Sequence, residues 1–459
     1  MNIKSLLLLA ALAAASSAYA QIPSDAGPLT LGQCLDYTLE HNATLKKDKL
    51  GIEEAAQSKR EIAGSLLPQI SASGSMSYNI QKTAIAMPNF VNSMMPEAMR
   101  DPNAPKYMTV TMGMDLSANW GVALSQQLLN FSLFNAVGIA NAAEEMAQMG
   151  VEADADDVVA KTAILFYNAQ VLQYAVNLFD ESLAVMDRMS SVMQAGKDVG
   201  IIRKVDADRI EVNKSNLETE KQSMVQAFEV QKNLLKLQMG FPMDSDIAIE
   251  ALDVDALESR IFLECLQDFS AEEQMPFKMH KQQQTMLQLQ RKSAVAEVLP
   301  TFTLSANYSQ NYMGDHFYGE TYHHFPVSMV SLNMRMPIFT GMSKNAKIKK
   351  ADIALRKSQQ DEEILLQSLT MGYNNARMQL EQNRSTVVSQ KRNKALASDV
   401  LEVTESNYNE GIANLSDVLN ASSSLIQAQM NYINALNSCV KSYIDLKKAN
   451  GTIKEINNR

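Results

Sequence analysis

Two long stretches of the chain, 133–198 and 343–409, contain no proline and few glycines, so each is predicted to be one α-helix. Because an α-helix rises about 1.5 Å per residue, each would extend for about 100 Å. An ordinary globular core is too narrow to bury helices of this length, so we expect them to pack side by side along their length. A shorter helix is predicted after each long one, over 204–239 and 415–449.

The helix predicted over 415–449 indicates how such helices pack. Its apolar residues recur every seven positions in two adjacent rows: Val418, Leu425, Tyr432, Cys439 and Leu446 in the first, and Leu419, Ile426, Ile433 and Val440 in the second. On a helix these rows lie about 100° apart. This favours a helix with a neighbour on each side, as in a closed ring of helices. A single wide apolar face on a helical bundle is the alternative.

The order of predicted elements occurs twice along the chain. The segment VGIIRKVD at 199–206 aligns with EGIANLSD at 410–417 at a shift of 211 residues. Helix, strand, strand, long helix, turn and helix follow one another in both copies, so we predict a first structural repeat over 21–240 and a second over 276–459. The segment between them, 241–275, contains ten acidic residues and one basic residue and is predicted to be a small linker domain or belt.

Four segments have the two-residue period of β-strands, namely 69–81, 107–125, 301–313 and 325–338. In the second of them every even position from Met108 to Leu124 is apolar, whereas small or polar residues fill the odd positions. Such alternation is typical of a strand with one apolar and one polar face. The loops at 82–106 and 314–324 are rich in turn-forming residues, so the segments are predicted to form two hairpins.

Four strands cannot close a membrane barrel by themselves, because the smallest such barrels have about eight. An open sheet edge in lipid would leave backbone groups without hydrogen bonds, each at a cost of several kcal/mol. The strands are therefore expected to pair with those of other copies, in a dimer with eight strands or a trimer with twelve. The alternative is a periplasmic β-layer whose apolar face rests on helices.

The start of the chain predicts export. Residues 1–20 have Lys4 before an apolar run and small residues at the cleavage position, which is typical of a secretory signal peptide. The formal net charge of −10 argues against nucleic acid as a partner. The three cysteines, Cys34, Cys265 and Cys439, are odd in number and far apart, so buried thiols are expected rather than a disulfide framework.

No spacing of residues indicates a nucleophile with its base or a glycine-rich phosphate loop, so no enzymatic activity, cofactor or metal site is expected. Three histidines, His316, His323 and His324, lie in a predicted outer loop and are interpreted as surface residues rather than metal ligands. The methionines of the predicted strands lie among leucine and valine, which favours packing over Cu(I) binding.

Several motifs resemble those of the TolC-type outer-membrane efflux family. They are LTLGQCLDYTLEHNATL at 29–45, the Leu-Pro junctions at 67–68 and 299–300, MPIFTG at 336–341 and the closing segment NEGIANLSDVLNASSSLIQAQMNYINALNSCVKSYIDLKKANGTI at 409–453. The resemblance covers nearly the whole mature chain. It implies a mainly α protein with β: a trimer whose twelve-stranded membrane β-barrel, with four strands per chain, continues into a long periplasmic α-helical barrel.

The same resemblance implies an exit duct in the bacterial outer membrane, extending into the periplasm, for a tripartite efflux pump or a type I secretion system. The implied partners are two further copies in a homotrimer, a periplasmic adaptor protein, an inner-membrane pump of the RND or ABC type, and outer-membrane lipid. The duct would be passive, with energy supplied by the pump. The alternative function is a structural or adhesive periplasmic coiled-coil protein with a small β-domain.

The turn after each long helix contains the candidate functional residues. Gly200 and Gly411 each suit a left-handed helix C-terminus, and Asp206 and Asp417 lie in the first turn of the helix that follows. Asn414, three residues before Asp417, indicates helix capping as one role for that carboxylate.

The family resemblance implies another role, in which the second turn narrows the tunnel at its periplasmic tip with a ring of acidic side chains. Asp417 matches one position of that ring, but the next acidic position is occupied by Asn420, so the ring would be thinner. Asp206 is the corresponding candidate in the first repeat. Near it Arg203, Lys204 and Arg209 either contact the adaptor, hold the tip closed by ion pairs, or belong to a solvated turn.

Overall fold

The computed structural model describes residues 27–264, 269–316 and 323–457. The predicted signal peptide, residues 1–20, and Cys265 lie outside the described residues. The chain forms two compact units. The first unit contains the described residues up to Ile52, Met146–Lys281 and the residues from Gln360 onwards, and the second contains Glu53–Glu145 and Gln282–Gln359.

Helices make up most of the described chain. They are α1 (Leu31–His41), α2 (Ala43–Gly64), α3 (Phe90–Met94), α4 (Phe131–Asp198), α5 (Lys204–Met239), α6 (Val254–Glu264), α7 (Met275–Ala296), α8 (Ser343–Asn409) and α9 (Leu415–Ala449). Single 3₁₀ turns occur at Glu97–Met99, Ala271–Glu273 and Ile453–Asn457. Among the helices of the described residues, none has an apolar stretch of the length that a membrane crossing requires.

The long helices end close to the residues that the sequence predicts. Helix α4 begins at Phe131, two residues before the predicted start, whereas α5, α8 and α9 have the predicted bounds. Gly240 ends α5 with φ +73°, a left-handed conformation that glycine adopts without strain. A side chain would also collide there, because a Cβ at Gly240 would lie 2.7 Å from the carbonyl oxygen of His41.

Helix α9 contacts different helices through its two heptad rows, as the sequence predicts. Val418 and Leu425 of the first row pack with Leu401 of α8 in one buried cluster. Ile426 of the second row packs on another cluster, in which Phe179 belongs to α4 and Leu217 to α5. Further along α9, Cys439 of the first row and Val440 of the second lie in one buried cluster, so there the two rows form one apolar face.

The largest apolar core of the first unit draws on α1, α4, α5, α6, α8 and α9. The acidic segment at 241–275 is attached to this core by Ile247, Ile249 and Leu257, which are all buried. Its charge is partly compensated by α5, since Lys232 Nζ lies 3.1 Å from Asp246 Oδ1 and lowers the pKa of that carboxyl group.

The strands of the described residues form two antiparallel sheets in the second unit. They are β1 (Gln69–Tyr78), β2 (Thr83–Pro88), β3 (Tyr107–Met112), β4 (Leu116–Leu129), β5 (Thr301–Gly314) and β6 (His323–Arg335). Four of them form one sheet in the order β1-β4-β5-β6, and β2 pairs with β3 in the other. The two predicted hairpins thus contribute to one four-stranded sheet.

The prediction of one strand over 107–125 is wrong, and so is the prediction of a loop over 82–106. The chain turns at Gly113, whose φ of +97° breaks the extended conformation, so β3 pairs with β2 and only β4 enters the larger sheet. The strand predicted to reach residue 81 ends at Tyr78, where the N–H of Asn79 donates a hydrogen bond to the Asp115 carbonyl, 2.6 Å away.

The last predicted strand, 325–338, is also displaced. In the structure β6 begins earlier, at His323, and ends at Arg335. Pro337 lies just beyond this end, and a proline has no backbone N–H to contribute to a ladder.

The two-residue period aligns across the four-stranded sheet near its middle. Ile70, Leu124, Ala306 and Val330 are register partners on successive strands, so these apolar even positions share one face. In the first half of β6 the phase is reversed, because its apolar residues Phe325, Val327 and Met329 occupy odd positions, opposite polar residues of β5. Val330 is 74% exposed, so the apolar face is uncovered at this position in a single chain. At the two edges, β1 and β6 each pair on one side only among the described residues.

Candidate functional site at the two helix turns

The turn after α4 has the hydrogen bonds of a Schellman motif. The N–H of Ile201 donates to the carbonyl of Gly196 at 2.9 Å, and the N–H of Gly200 donates to the carbonyl of Lys197 at 3.0 Å. Gly200 has φ +76°, the left-handed conformation that this motif requires. The pattern satisfies carbonyl groups that the end of α4 would otherwise leave open.

The turn after α8 has the same backbone. The N–H of Ile412 donates to the carbonyl of Asn407 at 2.8 Å, the N–H of Gly411 donates to the carbonyl of Tyr408 at 3.0 Å, and Gly411 has φ +75°. Each of these positions is 211 residues after its counterpart in the first turn. The two turns are therefore equivalent in conformation as well as in sequence pattern.

Asp206 forms ion pairs with basic residues of its own turn. Arg203 Nε lies 2.8 Å from Asp206 Oδ2 and Arg203 Nη2 lies 3.3 Å from Oδ1, while Arg209 Nη1 lies 4.0 Å from Oδ1. The Asp206 side chain is only 13% exposed, but that of Arg203 is 82% exposed. The Arg203 guanidinium group is therefore open to solvent, whereas the Asp206 carboxylate is mostly covered.

Asp417 instead forms a capping box with Asn414 at the start of α9. The N–H of Asp417 donates to Asn414 Oδ1 and the N–H of Asn414 donates to Asp417 Oδ2, both at 3.1 Å. The capping role that the sequence indicated for Asp417 is thus present. Asp417 is exposed, and so is Asn420 one turn further along α9.

The two turns share one buried cluster. It contains Met193 of α4, Ala207 and Ile210 of α5, and Leu415 of α9. Tyr408 of α8 packs against it and its hydroxyl donates to Met193 Sδ at 3.4 Å. Burial, and then the charge of Asp206, raise the pKa of Tyr408. The structure therefore brings the residues predicted separately in the two repeats into one tip.

Sequence reasoning missed an apolar feature of this tip. Ile201 is 83% exposed, Ile412 is 74% exposed and Val199 is 70% exposed. Solvent-facing residues of this size at the point of a turn are typical of a contact surface. The signal was present in the repeated Gly-Ile pair, which occurs after both long helices. Lys204, also exposed, lies beside this apolar group.

Other candidates from the sequence lie away from the tip. His324 stacks on Tyr312 with ring centroids 6.2 Å apart. In the ranges that the structure describes, no three His, Cys, Asp or Glu side chains are grouped as a metal site would require. Cys34 and Cys439 are buried and outside any disulfide, and burial raises the pKa of Cys34 to about 12.

Comparison with known proteins finds similarity in sequence and in fold. A model of the outer membrane efflux protein family matches residues 276–452. The outer membrane protein TolC of Vibrio cholerae is 27% identical over 164 residues, which are 34% of this chain and 36% of that protein. The aligned part thus spans about a third of that relative.

The resemblance in structure is more extensive. The outer membrane protein VceC of Vibrio cholerae has a TM-score of 0.66 and 15% identity, with 92% of this chain and 96% of that chain covered. The CmeC outer membrane channel of Campylobacter jejuni has a TM-score of 0.67 and 16% identity, with 92% and 85% covered. CusC has a TM-score of 0.69 and 15% identity, with 91% of each chain covered.

The fold is thus that of the outer-membrane channels. The second predicted repeat is similar in sequence to the outer membrane efflux protein family, and part of the chain is similar to the outer membrane protein TolC of Vibrio cholerae. The interpretation of its motifs as a family resemblance is confirmed.

Proposed function

We propose that this protein is the outer-membrane exit duct of a tripartite efflux pump or a type I secretion system. It is embedded in the outer membrane, extends into the periplasm, and conducts passively while an inner-membrane pump supplies the energy. The observation that carries the proposal is the four-stranded sheet, in which apolar even positions align across all four strands and whose edge strands β1 and β6 each have one unpaired side among the described residues. No catalytic group is needed for such a role.

Neighbouring copies would complete the sheet. Exposed edge groups are costly in lipid, and pairing β6 of one copy with β1 of the next removes both edges at once. Three copies would supply twelve strands, in line with the family resemblance. The apolar even face would then contact lipid, and the polar odd face would line a water-filled lumen.

The helices offer a second surface for neighbouring copies. Ile364, Met371 and Met378 recur every seven residues on α8 and are each at least 60% exposed. Val205 and Val212 of α5 have the same spacing and are 59% and 58% exposed. Such rows favour packing between helices of adjacent copies, which would extend the duct as a ring of helices.

Insertion of the sheet in lipid is tested by a matched pair of substitutions on β4. Val122 lies on the apolar face and Ala123 on the polar face. Val122→Arg should cost about 2–4 kcal/mol if the site is near the middle of the bilayer, whereas Ala123→Arg should be tolerated in the lumen. The readouts are the amount of heat-modifiable oligomer extracted from outer membranes and the conductance of that oligomer in planar bilayers. Equal effects of the two variants, or an oligomer without conductance, would favour the structural coiled-coil protein instead.

The tip would form the periplasmic entrance. Around a three-fold axis, three copies of Asp417 would create a negative field that favours cations, with Asn420 as an uncharged second layer. Asp206, paired with Arg203 and Arg209, would contribute little to that field. The exposed basic and apolar residues of the first turn would contact the periplasmic adaptor, with Gly200 and Gly411 shaping both turns.

This entrance is tested by comparing Asp417→Ala with the double variant Arg203→Ala/Asp206→Ala. We expect Asp417→Ala to lower the cation preference of the channel, whereas the double variant removes an ion pair without changing the net charge and should leave the preference unchanged. The measurement is the reversal potential in planar bilayers at low salt, since the screening length is about 30 Å at 0.01 M. If a well-assembled Asp417→Ala channel kept its selectivity, Asp417 would act as a helix cap alone.

A further inference from the structure

A cavity of about 220 Å³ lies between α4 and α8, close to the tip. Its wall on α4 consists of four apolar residues and one basic residue: Val185, Met189, Val192, Met193 and Arg188. The wall on α8 consists of Glu405, Tyr408 and Asn409. The cavity therefore combines an apolar surface with a carboxyl group and two other polar side chains.

That carboxyl group has an unsatisfied oxygen. Glu405 Oε1 is buried and has no hydrogen-bond partner among the described residues. A buried acceptor left unpaired is costly, and a charged one more so. Burial accordingly raises the pKa of Glu405, against the opposing effect of Arg188 and with a smaller contribution from Glu402.

The nearby charges do not satisfy Glu405. Arg188 of α4 also lines the cavity but is exposed and does not hydrogen-bond the buried oxygen. Glu402, one turn earlier on α8, carries the same sign of charge as Glu405. A positively charged hydrogen-bond donor placed in the cavity would pair with this oxygen.

We propose that this cavity binds a small amphipathic monocation, of the class of a primary amine with one aromatic ring. The ammonium group donates to Glu405 Oε1, and the ring packs against the methionines and valines of α4 beside Tyr408. The volume is adequate, since a dry apolar cavity of about 150 Å³ holds benzene. Methionine side chains adapt to such rings and make favourable sulfur–aromatic contacts.

The test uses the purified full-length protein in detergent and benzylamine as the probe, with binding followed by saturation-transfer NMR and calorimetry at neutral pH. We expect saturable binding with a dissociation constant on the order of 1 mM or tighter. Benzyl alcohol has a similar shape without the charge and should bind about tenfold more weakly or worse. This experiment is independent of membrane insertion and of channel activity.

Three variants make the test specific. Glu405→Gln keeps the side-chain shape and should weaken benzylamine binding by about tenfold or more. Glu410→Gln, at an exposed site one helical turn and a half further on, should leave binding unchanged. Arg188→Ala removes the competing positive charge and should tighten binding by several-fold.

Several outcomes would overturn the proposal. They are the absence of saturable binding, equal binding of benzyl alcohol, and unchanged binding by a folded Glu405→Gln variant. Loss of binding in Arg188→Ala would also overturn it, because the guanidinium and not the carboxylate would then hold the probe. Circular dichroism and gel filtration of each variant establish that the fold is retained.

Discussion

The turn at Gly200 and the turn at Gly411 have the same backbone but different chemistry. In the first, Arg203 and Arg209 lie beside Asp206, and both arginine side chains are more than half exposed. In the second, Asn414 occupies the position of Arg203, and Asp417 is left with capping hydrogen bonds in place of a basic partner. The comparison teaches that the glycine and its spacing determine the turn, whereas the residue that begins the next helix decides which charge the turn presents.

The packing of the two turns also differs in a compensating way. In the first turn a Cβ at Gly196 would lie 2.5 Å from Ile202 Cδ1. In the second turn the equivalent pair is Asn407 and Ala413, so the larger residue is on the helix and the smaller one on the turn. In each turn, one of these two positions therefore has a large side chain and the other a small one.

The largest expected effect comes from breaking this compensation. Gly196→Asn should destabilise the first turn by about 1–3 kcal/mol, because the new side chain overlaps Ile202. Adding Ile202→Ala recreates the pair of the second turn and should recover most of the loss. Thermal unfolding and limited proteolysis at the turn measure the coupling between the two changes. A coupling free energy near zero would show that residues 196 and 202 do not compensate each other in size.

The next effect tests whether the two backbones are equivalent. Gly200→Ala and Gly411→Ala should each destabilise the tip by about 1–2 kcal/mol, since an L-residue is strained at positive φ. Gly372→Ala is the control, because Gly372 lies within α8 with open space around it; alanine there should stabilise the helix by up to about 1 kcal/mol. Melting temperatures of the three variants suffice. Clearly unequal losses at Gly200 and Gly411 would contradict the equivalence.

A smaller effect separates the two helix starts. Asn414→Ala removes the side-chain acceptor of the capping box and should cost about 1 kcal/mol. Arg203→Ala removes an ion pair whose cation is largely exposed, and should cost less than about 0.5 kcal/mol. Hydrogen exchange of the first turns of α9 and α5 measures both losses locally. A larger loss for Arg203→Ala would mean that the ion pair stabilises its helix start more than the capping box does.

The smallest effect concerns Glu405, whose counterpart 211 residues earlier is Gln194. Because burial raises the pKa of Glu405, ionisation of this group destabilises the folded protein at neutral pH, and the penalty disappears as the pH falls below the ordinary carboxyl value. Glu405→Gln should therefore melt at a higher temperature than the parent at pH 7 and at the same temperature near pH 4. An advantage of the variant that does not depend on pH would contradict burial of the charge.

Much of the fold was predictable because its signals are local. Proline-free stretches, two heptad rows and a glycine after each long helix predict α5, α8 and α9 to the residue. The alternation of apolar residues predicts the two faces of β4 but not its start at Leu116. The repeated positions of Gly200 and Gly411 likewise predict the two turns, and Asn414 with Asp417 predicts the capping box.

The errors arose in segments whose local sequence pattern is compatible with two different strand pairings. Gly113 fits the odd face of a continuous strand as well as it fits a turn, and only the pairing of β2 with β3 selects the turn. The segment at 82–106 has too many prolines and polar residues to predict a strand, yet Thr83–Pro88 becomes one because β3 lies beside it. Pairing between strands depends on residues that are distant in sequence.

The sequence by itself determined the lengths of the helices, the conformation of both turns and the two faces of the sheet, since backbone preference and periodicity act between residues a few positions apart. The tertiary structure alone decided that both turns meet over Met193 and Leu415, that Asp206 is shielded while Asp417 is exposed, and that a carboxyl oxygen of Glu405 is buried beside a cavity. Burial and charge pairing depend on which helices lie side by side, and helices separated by two hundred residues meet only in the folded chain.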